Sequence, residues 1–233
     1  RTEQDKEERE TMSLLSIDVG TTGCKVIAVN EEGKILAHAY GEYPLIHPRP
    51  GWSELDSKLV WQKVSDGIRS VAKQTQKDPI EAISVASQGE AVTPISKTGR
   101  ILDHAITSFD SRTTGISDQI EQQISKLEIM QITGVPLSDI TTVAKLIWLQ
   151  REKPGIYKQT RKFLGFEDFI YHQLGISPVS VDYSLAARTM AFDILNKRWS
   201  ERMAEVANID LDLFAEPVPS GTVIGQISPA VAE

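Results

Sequence analysis

The sequence predicts an α/β fold with a mixed sheet and an α-rich insertion, and three observations predict it. The first is the run SLLSIDVGTTGCKVIAVN, residues 13–30. Two apolar, β-branched stretches flank Gly20-Thr21-Thr22-Gly23, and Glu31-Glu32-Gly33 then turns the chain into a third strand-like run over 34–43. Three such runs with short turns make an antiparallel meander. The second is a helix following the proline-rich loop His47-Pro-Arg-Pro-Gly-Trp52. Residues 53–56 can cap it, and Trp61, Val64, Ile68 and Val71 recur at spacings of three and four. The apolar strand 80–87 comes next. The third is a change of character after Arg112, where Ile116, Ile120, Ile124 and Leu127 fall at helical spacing among Gln and Glu.

The remaining elements follow in order. Gln88-Gly89-Glu90 ends the 80–87 strand, 91–96 is a strand, and Lys97-Thr98-Gly99 is a hairpin-like turn. A short strand over 105–109 runs into Asp110-Ser111-Arg112. Thr133-Gly-Val-Pro136 interrupts the helical pattern, which resumes over 143–150 and stops before Pro154. Residues 163–166 fit a strand, 167–174 a helix, 182–193 a mixed stretch and 199–207 a helix. This order predicts one α/β domain over 12–233, preceded by a charged tail over 1–11.

Composition narrows the function classes. The chain of 233 residues has 25 Lys and Arg against 32 Asp and Glu, a net charge of −7. That weighs against nucleic acid as a partner, since phosphate-backbone binding needs a basic face. The single cysteine, Cys24, excludes an internal disulfide or a multi-cysteine zinc site and fits a reducing, cytoplasmic compartment. No stretch approaches the roughly 18 apolar residues a membrane span requires. The start RTEQDKEERETM lacks the apolar core of a secretory signal.

The first hairpin has a chemistry of its own. A turn containing Gly20 and Gly23 can present backbone N–H groups to an anion. Thr21 and Thr22 add hydroxyls, Lys25 adds a cation, and Asp18 offers a carboxylate suited to hydrated Mg²⁺ beside phosphates. The pattern is neither a P-loop nor a GxGxxG turn. On these residues alone, nucleotide binding and a plain hairpin turn both stay open.

Six ordered segments resemble the FGGY carbohydrate kinases, such as xylulose, glycerol and gluconate kinases, of the actin-like ATPase superfamily with its ribonuclease H-like fold. They are IDVGTTGCKVIAVNEEGKIL; Trp52-Ser-Glu-Leu-Asp56 with Trp61; ISVASQGE; GRILDHAITSFDSR; Thr133-Gly-Val-Pro136 with Lys145-Leu-Ile-Trp148-Leu; and the 182–199 stretch. The resemblance implies ATP-dependent transfer of the γ-phosphate to a sugar or polyol hydroxyl, with Mg²⁺. It implies two actin-like domains, of which this chain would be the first, and a homodimer as in some relatives.

Residue by residue, it implies that Asp18 acts near Mg²⁺ and the transferring phosphate, and that Gly20, Thr21, Thr22 and Lys25 contact phosphates. Gln88, Gly89 and Glu90 would bind sugar hydroxyls. Asp110 and Arg112 would either contact the sugar or form a structural ion pair. Ser108 stands where many relatives carry a substrate-stacking Trp, and Gly89 where glycerol kinases carry Arg. Gly89, with Ile140 in the region where glycerol kinases carry a Tyr, argues against glycerol. The Met-His pair that xylulose kinases show near Gly89-Glu90 is also absent, so the sugar is open, with a pentulose or a related sugar or sugar acid as the broad expectation. The family's catalytic base lies in a Gly-rich turn ending on Asp. GTVIGQISPAVAE, residues 221–233, resembles its lead-in, and no Gly-Gly-Asp occurs in the 233 residues. The base is therefore expected beyond Glu233, with the domain truncated before it and inactive alone. The alternatives are a non-catalytic sugar-binding or regulatory module and another actin-like ATPase, the latter disfavoured by the sugar-side segments.

Overall fold

A computed structural model of the chain describes residues 13–227. In chain order they begin with β1 (Ser13–Val19), β2 (Gly23–Asn30), β3 (Ile35–Glu42), β4 (Glu54–Leu55), α1 (Ser57–Gln74), β5 (Ile80–Ser87), β6 (Thr93–Ser96) and β7 (Ala105–Ile106). A helix-rich stretch follows, with α2 (Ile116–Glu121), α3 (Lys126–Thr133), α4 (Thr142–Glu152), α5 (Pro154–Gln159), β8 (Thr160–Leu164), α6 (Phe166–Gln173), β9 (Ser180–Asp182) and α7 (Tyr183–Arg188). The last elements are β10 (Phe192–Asp193), β11 (Arg198–Trp199), α8 (Glu201–Ala207) and β12 (Glu216–Val218). The expected tail over 1–11 lies outside the described residues, and so does Glu233, beyond which the family resemblance leads one to expect the catalytic base.

The chain divides into two compact units. The first holds residues 13–43 and Leu59–Ser87. Its sheet has the order β3-β2-β1-β5, with β1 antiparallel to β2 and parallel to β5. The meander and the mixed sheet are as the sequence predicts. Side chains of β1 alternate with the pleat: Ser13, Leu15, Ile17 and Val19 are buried, while Leu14, Ser16 and Asp18 are exposed. Parallel pairing needs a crossover, and α1 supplies it. Val60, Val64 and Val71 of α1 are fully buried. Gly67 is needed on that face, because a Cβ there would lie 2.8 Å from Val26 Cγ2.

The second unit holds Pro44–Lys58 and residues 88–227. Its core is built around α4, whose residues Val143, Ala144, Leu146, Ile147 and Leu149 pack with Ile116, Ile120, Ile129, Phe163 and Met203. The short strands pair in twos: β4 with β7, β6 with β8, β10 with β11, and β9 with β12. The helical spacing of 116–127 is shared between two helices. Ser125 stops one run and caps the next, its hydroxyl accepting from the Glu128 N–H at 3.1 Å. The strand expected over 163–166 runs from Thr160 to Leu164, and α5, which begins at Pro154, precedes it.

Candidate functional site

The residues expected to matter fall in two groups, one in each unit. In the first unit, β1 and β2 bring Asp18 opposite Lys25 and Val19 opposite Cys24. The Gly20 N–H donates to the Gly23 carbonyl at 2.9 Å, closing the strands around Thr21-Thr22. Tyr43 buttresses this turn: its hydroxyl donates to the Gly20 carbonyl at 2.8 Å, and its N–H donates to Thr22 O at 3.2 Å. Burial holds the Tyr43 phenol protonated well beyond its usual range. Gly23 has no room for a side chain, since a Cβ would stand 2.6 Å from Tyr40 Oη and 2.8 Å from the Gly41 carbonyl. Asp18, Thr22 and Lys25 are exposed, and Thr21 partly so. Cys24 is buried, and burial raises its thiol pKa, which suits packing rather than reactivity.

The carboxylate and cation face each other across the strand pair, beside two threonines and a glycine-lined turn. Among the described residues no cluster of three or more His, Cys, Asp or Glu could hold a metal. A lone exposed carboxylate does fit the way Mg²⁺ is usually held, through one or two carboxylates, waters and substrate phosphates.

In the second unit, Gln88-Gly89-Glu90 forms a tight turn. The Ala91 N–H donates to the Gly89 carbonyl at 2.8 Å, and Glu90 between them has φ of 60°. Such a left-handed three-residue turn costs a non-glycine residue about 1–3 kcal/mol, so its surroundings must enforce it. Several groups do. Lys145 Nζ donates to the Glu90 carbonyl at 2.6 Å and to Ile140 O at 2.9 Å. The Thr142 hydroxyl donates to the same Glu90 carbonyl at 3.3 Å. The Glu90 side chain, 7% exposed, pairs through Oε1 with Arg188 Nη2, and Oε2 accepts from the Ser108 hydroxyl at 3.0 Å. Ser108 also donates to Gly89 O at 3.1 Å. Gly89 makes room for the arginine: a Cβ there would sit 3.1 Å from Arg188 Cγ. The result is a carboxylate with one protein donor on each oxygen and further lone pairs on both.

Asp110 and Arg112 form a buried ion pair. Arg112 Nε donates to Asp110 Oδ1 at 2.8 Å and Nη2 to Oδ2 at 2.7 Å, with side chains 1% and 0% exposed. Asp110 Oδ2 also accepts from the Ser53 N–H at 2.6 Å. Arg112 Nη2 reaches Glu54 Oε1 at 2.8 Å, and the guanidinium lies 3.9 Å from the Trp52 ring centroid and 5.0 Å from that of Trp148. Of the two meanings left open by the sequence, the geometry has the features of the structural ion pair. The neighbouring Phe109 is 73% exposed and lines a groove of about 660 Å³ with His47, Arg49 and Trp52.

Sequence reasoning did not single out Arg188, Thr142 or Lys145 as part of the Glu90 site, and it named Ser108 only as a departure. Lys145 carried a usable signal, being a lysine in the otherwise apolar α4 stretch VAKLIWL. Arg188 is 98 residues from Glu90 and carried none. The base expected beyond Glu233 lies outside the described residues.

The model of the FGGY family of carbohydrate kinases, N-terminal domain, matches residues 13–233. Gluconokinase of Bacillus subtilis (strain 168) is 28% identical over 222 residues, covering 95% of this chain and 43% of the relative. A glycerol kinase of Streptococcus agalactiae is 30% identical over 224 residues, covering 93% and 45%. The crystal structure of gluconate kinase from Lactobacillus acidophilus superposes with a TM-score of 0.86 at 25% identity, covering 95% of this chain and 45% of that one. The ligand-bound xylulose kinase structure from the same organism gives 0.86 at 26% identity, covering 95% and 45%. The chain thus spans less than half the length of these relatives. It has the actin-like ATPase fold of those structures and belongs to the FGGY family of carbohydrate kinases.

Proposed function

We propose that this chain supplies the sugar-binding residues and the phosphate hairpin of an enzyme that transfers the γ-phosphate of ATP to a hydroxyl of a sugar or polyol. The observation that carries this reading is the Glu90 turn. A polyol offers several hydroxyl donors, and a buried, oriented carboxylate is the acceptor that selects for them. Gln88 and Gly89 flank that carboxylate, and Arg188 adds a donor for a neighbouring hydroxyl oxygen. Asp110 and Arg112 contribute by anchoring the loop that carries Ser108.

The hairpin complements this chemistry. Gly20, Thr21 and Thr22 would donate to phosphate oxygens, Lys25 would offset their charge, and Asp18 would hold Mg²⁺ through its waters. When bound, Mg²⁺ neutralises charge on the phosphates during transfer. Phosphoryl transfer depends mainly on positioning and on such charge stabilisation. It also needs a base within hydrogen-bond reach of the acceptor hydroxyl. The Gly-Gly-Asp turn that would supply one does not occur in these 233 residues, so the proposal keeps the base beyond Glu233. The chain by itself is therefore expected to release no ADP in a sugar-dependent way. Gly89 and the Ile140 region argue against glycerol, and a pentulose or a related sugar or sugar acid is the broad substrate class. A second actin-like domain, a homodimer and a cytoplasmic location belong to the same proposal.

A thermal-shift comparison tests it. D-gluconate, D-xylulose and glycerol are each added to the chain, since a ligand that prefers the folded state raises Tm. At least one of the first two is expected to do so, and Glu90→Ala to abolish the shift. No shift with any of the three, or an undiminished shift in Glu90→Ala, removes the reading.

A further inference from the structure

Lys145 is fully buried in α4, an unusual place for an ammonium group. Its Nζ reaches two main-chain carbonyls, those of Glu90 and Ile140. The first belongs to the strained residue of the Glu90 turn. Thr142, three residues earlier on the same helix, reaches the same carbonyl. The helix is tied in turn to the segment carrying Arg188, because the Val143 N–H donates to Thr189 O at 3.0 Å. The two arms of the Glu90 environment, one holding its main chain and one its carboxylate, are thereby joined.

We infer that Lys145 is the positioning residue of the Glu90 turn: it holds the turn's carbonyl from the buried side, keeps the carboxylate presented to a polyol, and by its charge sets how firmly that carboxylate accepts the ligand's hydroxyls. This rests on the sugar-binding reading of Glu90. Four groups act on Lys145 or on the carboxylate it supports. Glu90 and Asp110 favour the charged amine, Arg112 opposes it, and Arg188 sits on the Glu90 carboxylate. Burial outweighs these and lowers the Lys145 pKa to about 7, so its charge changes across neutrality. Either form can keep both carbonyl bonds, since the ammonium has three N–H donors and the neutral amine two. What changes is the field at the carboxylate. A bound polyol displaces water and weakens screening between Glu90 and Lys145. The ligand is then favoured by the protonated lysine, and by linkage affinity falls as pH rises through about 7.

Calorimetric titration of the chain with D-gluconate, D-xylulose and glycerol, between about pH 6 and pH 8.5, tests this. For whichever probe binds, the wild-type Kd is expected to rise about fivefold or more across that range. Lys145→Met is expected to flatten the profile. Glu167→Gln removes another group that titrates near neutrality and is expected to leave the profile intact. A Lys145→Met profile parallel to wild type, or a flat wild-type profile, overturns the inference. Should Lys145→Met fail to fold, NMR of ¹³Cε-lysine decides in the wild type. The Lys145 midpoint is expected to move up with saturating ligand and down in Glu90→Gln, and a midpoint unmoved by both overturns the inference. If no probe binds, the sugar-binding reading fails, while the Glu90→Gln midpoint still decides the coupling between Lys145 and Glu90.

Discussion

Both oxygens of Asp110 engage Arg112, at 2.8 Å and 2.7 Å, with neither side chain more than 1% exposed. Removing Arg112 leaves the buried carboxylates of Asp110 and Glu54 without their shared cation, which costs about 3–5 kcal/mol, whereas removing Asp110 leaves Arg112 still paired with Glu54 at 2.8 Å and costs less. Arg112→Leu is expected to lower Tm by on the order of 10 °C, and Asp110→Asn by less. Arg112→Lys should restore only part of the loss, because an ammonium can neither form the two-pronged pair nor stack on Trp52. Calorimetric melting measures this, and a change below about 1 kcal/mol in all three variants would show that the pair is not structural.

Three buried ionisable groups, two acidic and one basic, set opposite pH trends. Burial raises Glu167 from 4.5 to about 7, although the Asp182 N–H and the Tyr171 hydroxyl both favour its charged form. The folded state then holds more protons than the unfolded state between those values, so stability falls as pH rises from about 4.5 to about 7. Asp168, raised chiefly by burial, acts in the same direction. Lys145 is lowered from 10.5 to about 7, so between those values the unfolded state binds the extra proton and stability rises with pH. Together the groups produce a minimum near neutrality. Glu167→Gln should flatten the acid limb by up to about 3 kcal/mol, and Lys145→Met the alkaline limb. Denaturant midpoints measured across pH check both slopes.

Crowding at Gly23 makes the hairpin intolerant of a methyl group. Gly23→Ala would place a Cβ 2.8 Å from the Gly41 carbonyl, so strand β3 must shift, at about 1–3 kcal/mol. Gly155→Ala, with nothing within 4 Å of its Cβ and a helical position in α5, is expected to be neutral or stabilising by up to about 1 kcal/mol. Equal melting temperatures for the two variants would contradict the crowding argument.

Asp18 is exposed, so Asp18→Asn should change stability by less than about 0.5 kcal/mol. On the proposed function it should also remove the Mg²⁺-dependent part of ATP binding while leaving metal-free binding unaltered. Nucleotide titrations with and without Mg²⁺ measure the difference. An unchanged Mg²⁺ increment would exclude Asp18 as the metal carboxylate.

Much of the fold was legible because local chemistry dictated it. Apolar stretches either side of Gly20-Thr21-Thr22-Gly23 marked β1 and β2, and Gly20, Gly23 and Gly33 marked the turns that make the meander. Apolar residues spaced at three and four marked α1 and α4. The Ser125…Glu128 cap, which the spacing of 116–127 did not reveal, explains why that pattern is two helices. The outlines of the short strands were less legible. The 105–109 run keeps only Ala105–Ile106 as strand, paired with Glu54–Leu55 some fifty residues earlier.

By itself the sequence determined the α/β class, the family, the glycine-bearing hairpin of β1 and β2 and the places of Glu90, Asp110 and Arg112 along the chain. These depend on residues close in the chain, where spacing carries the geometry. Only the tertiary structure decided what those side chains meet. Arg188 reaches Glu90 across 98 positions and Lys145 across 55. Glu54, Trp52 and Trp148 converge on Arg112 from separate segments. No local period encodes such pairings, because they arise when helices and short strands pack to bury their apolar faces and carry a few polar groups inward together. That packing gave Glu90 its donors and enclosed the Asp110–Arg112 pair.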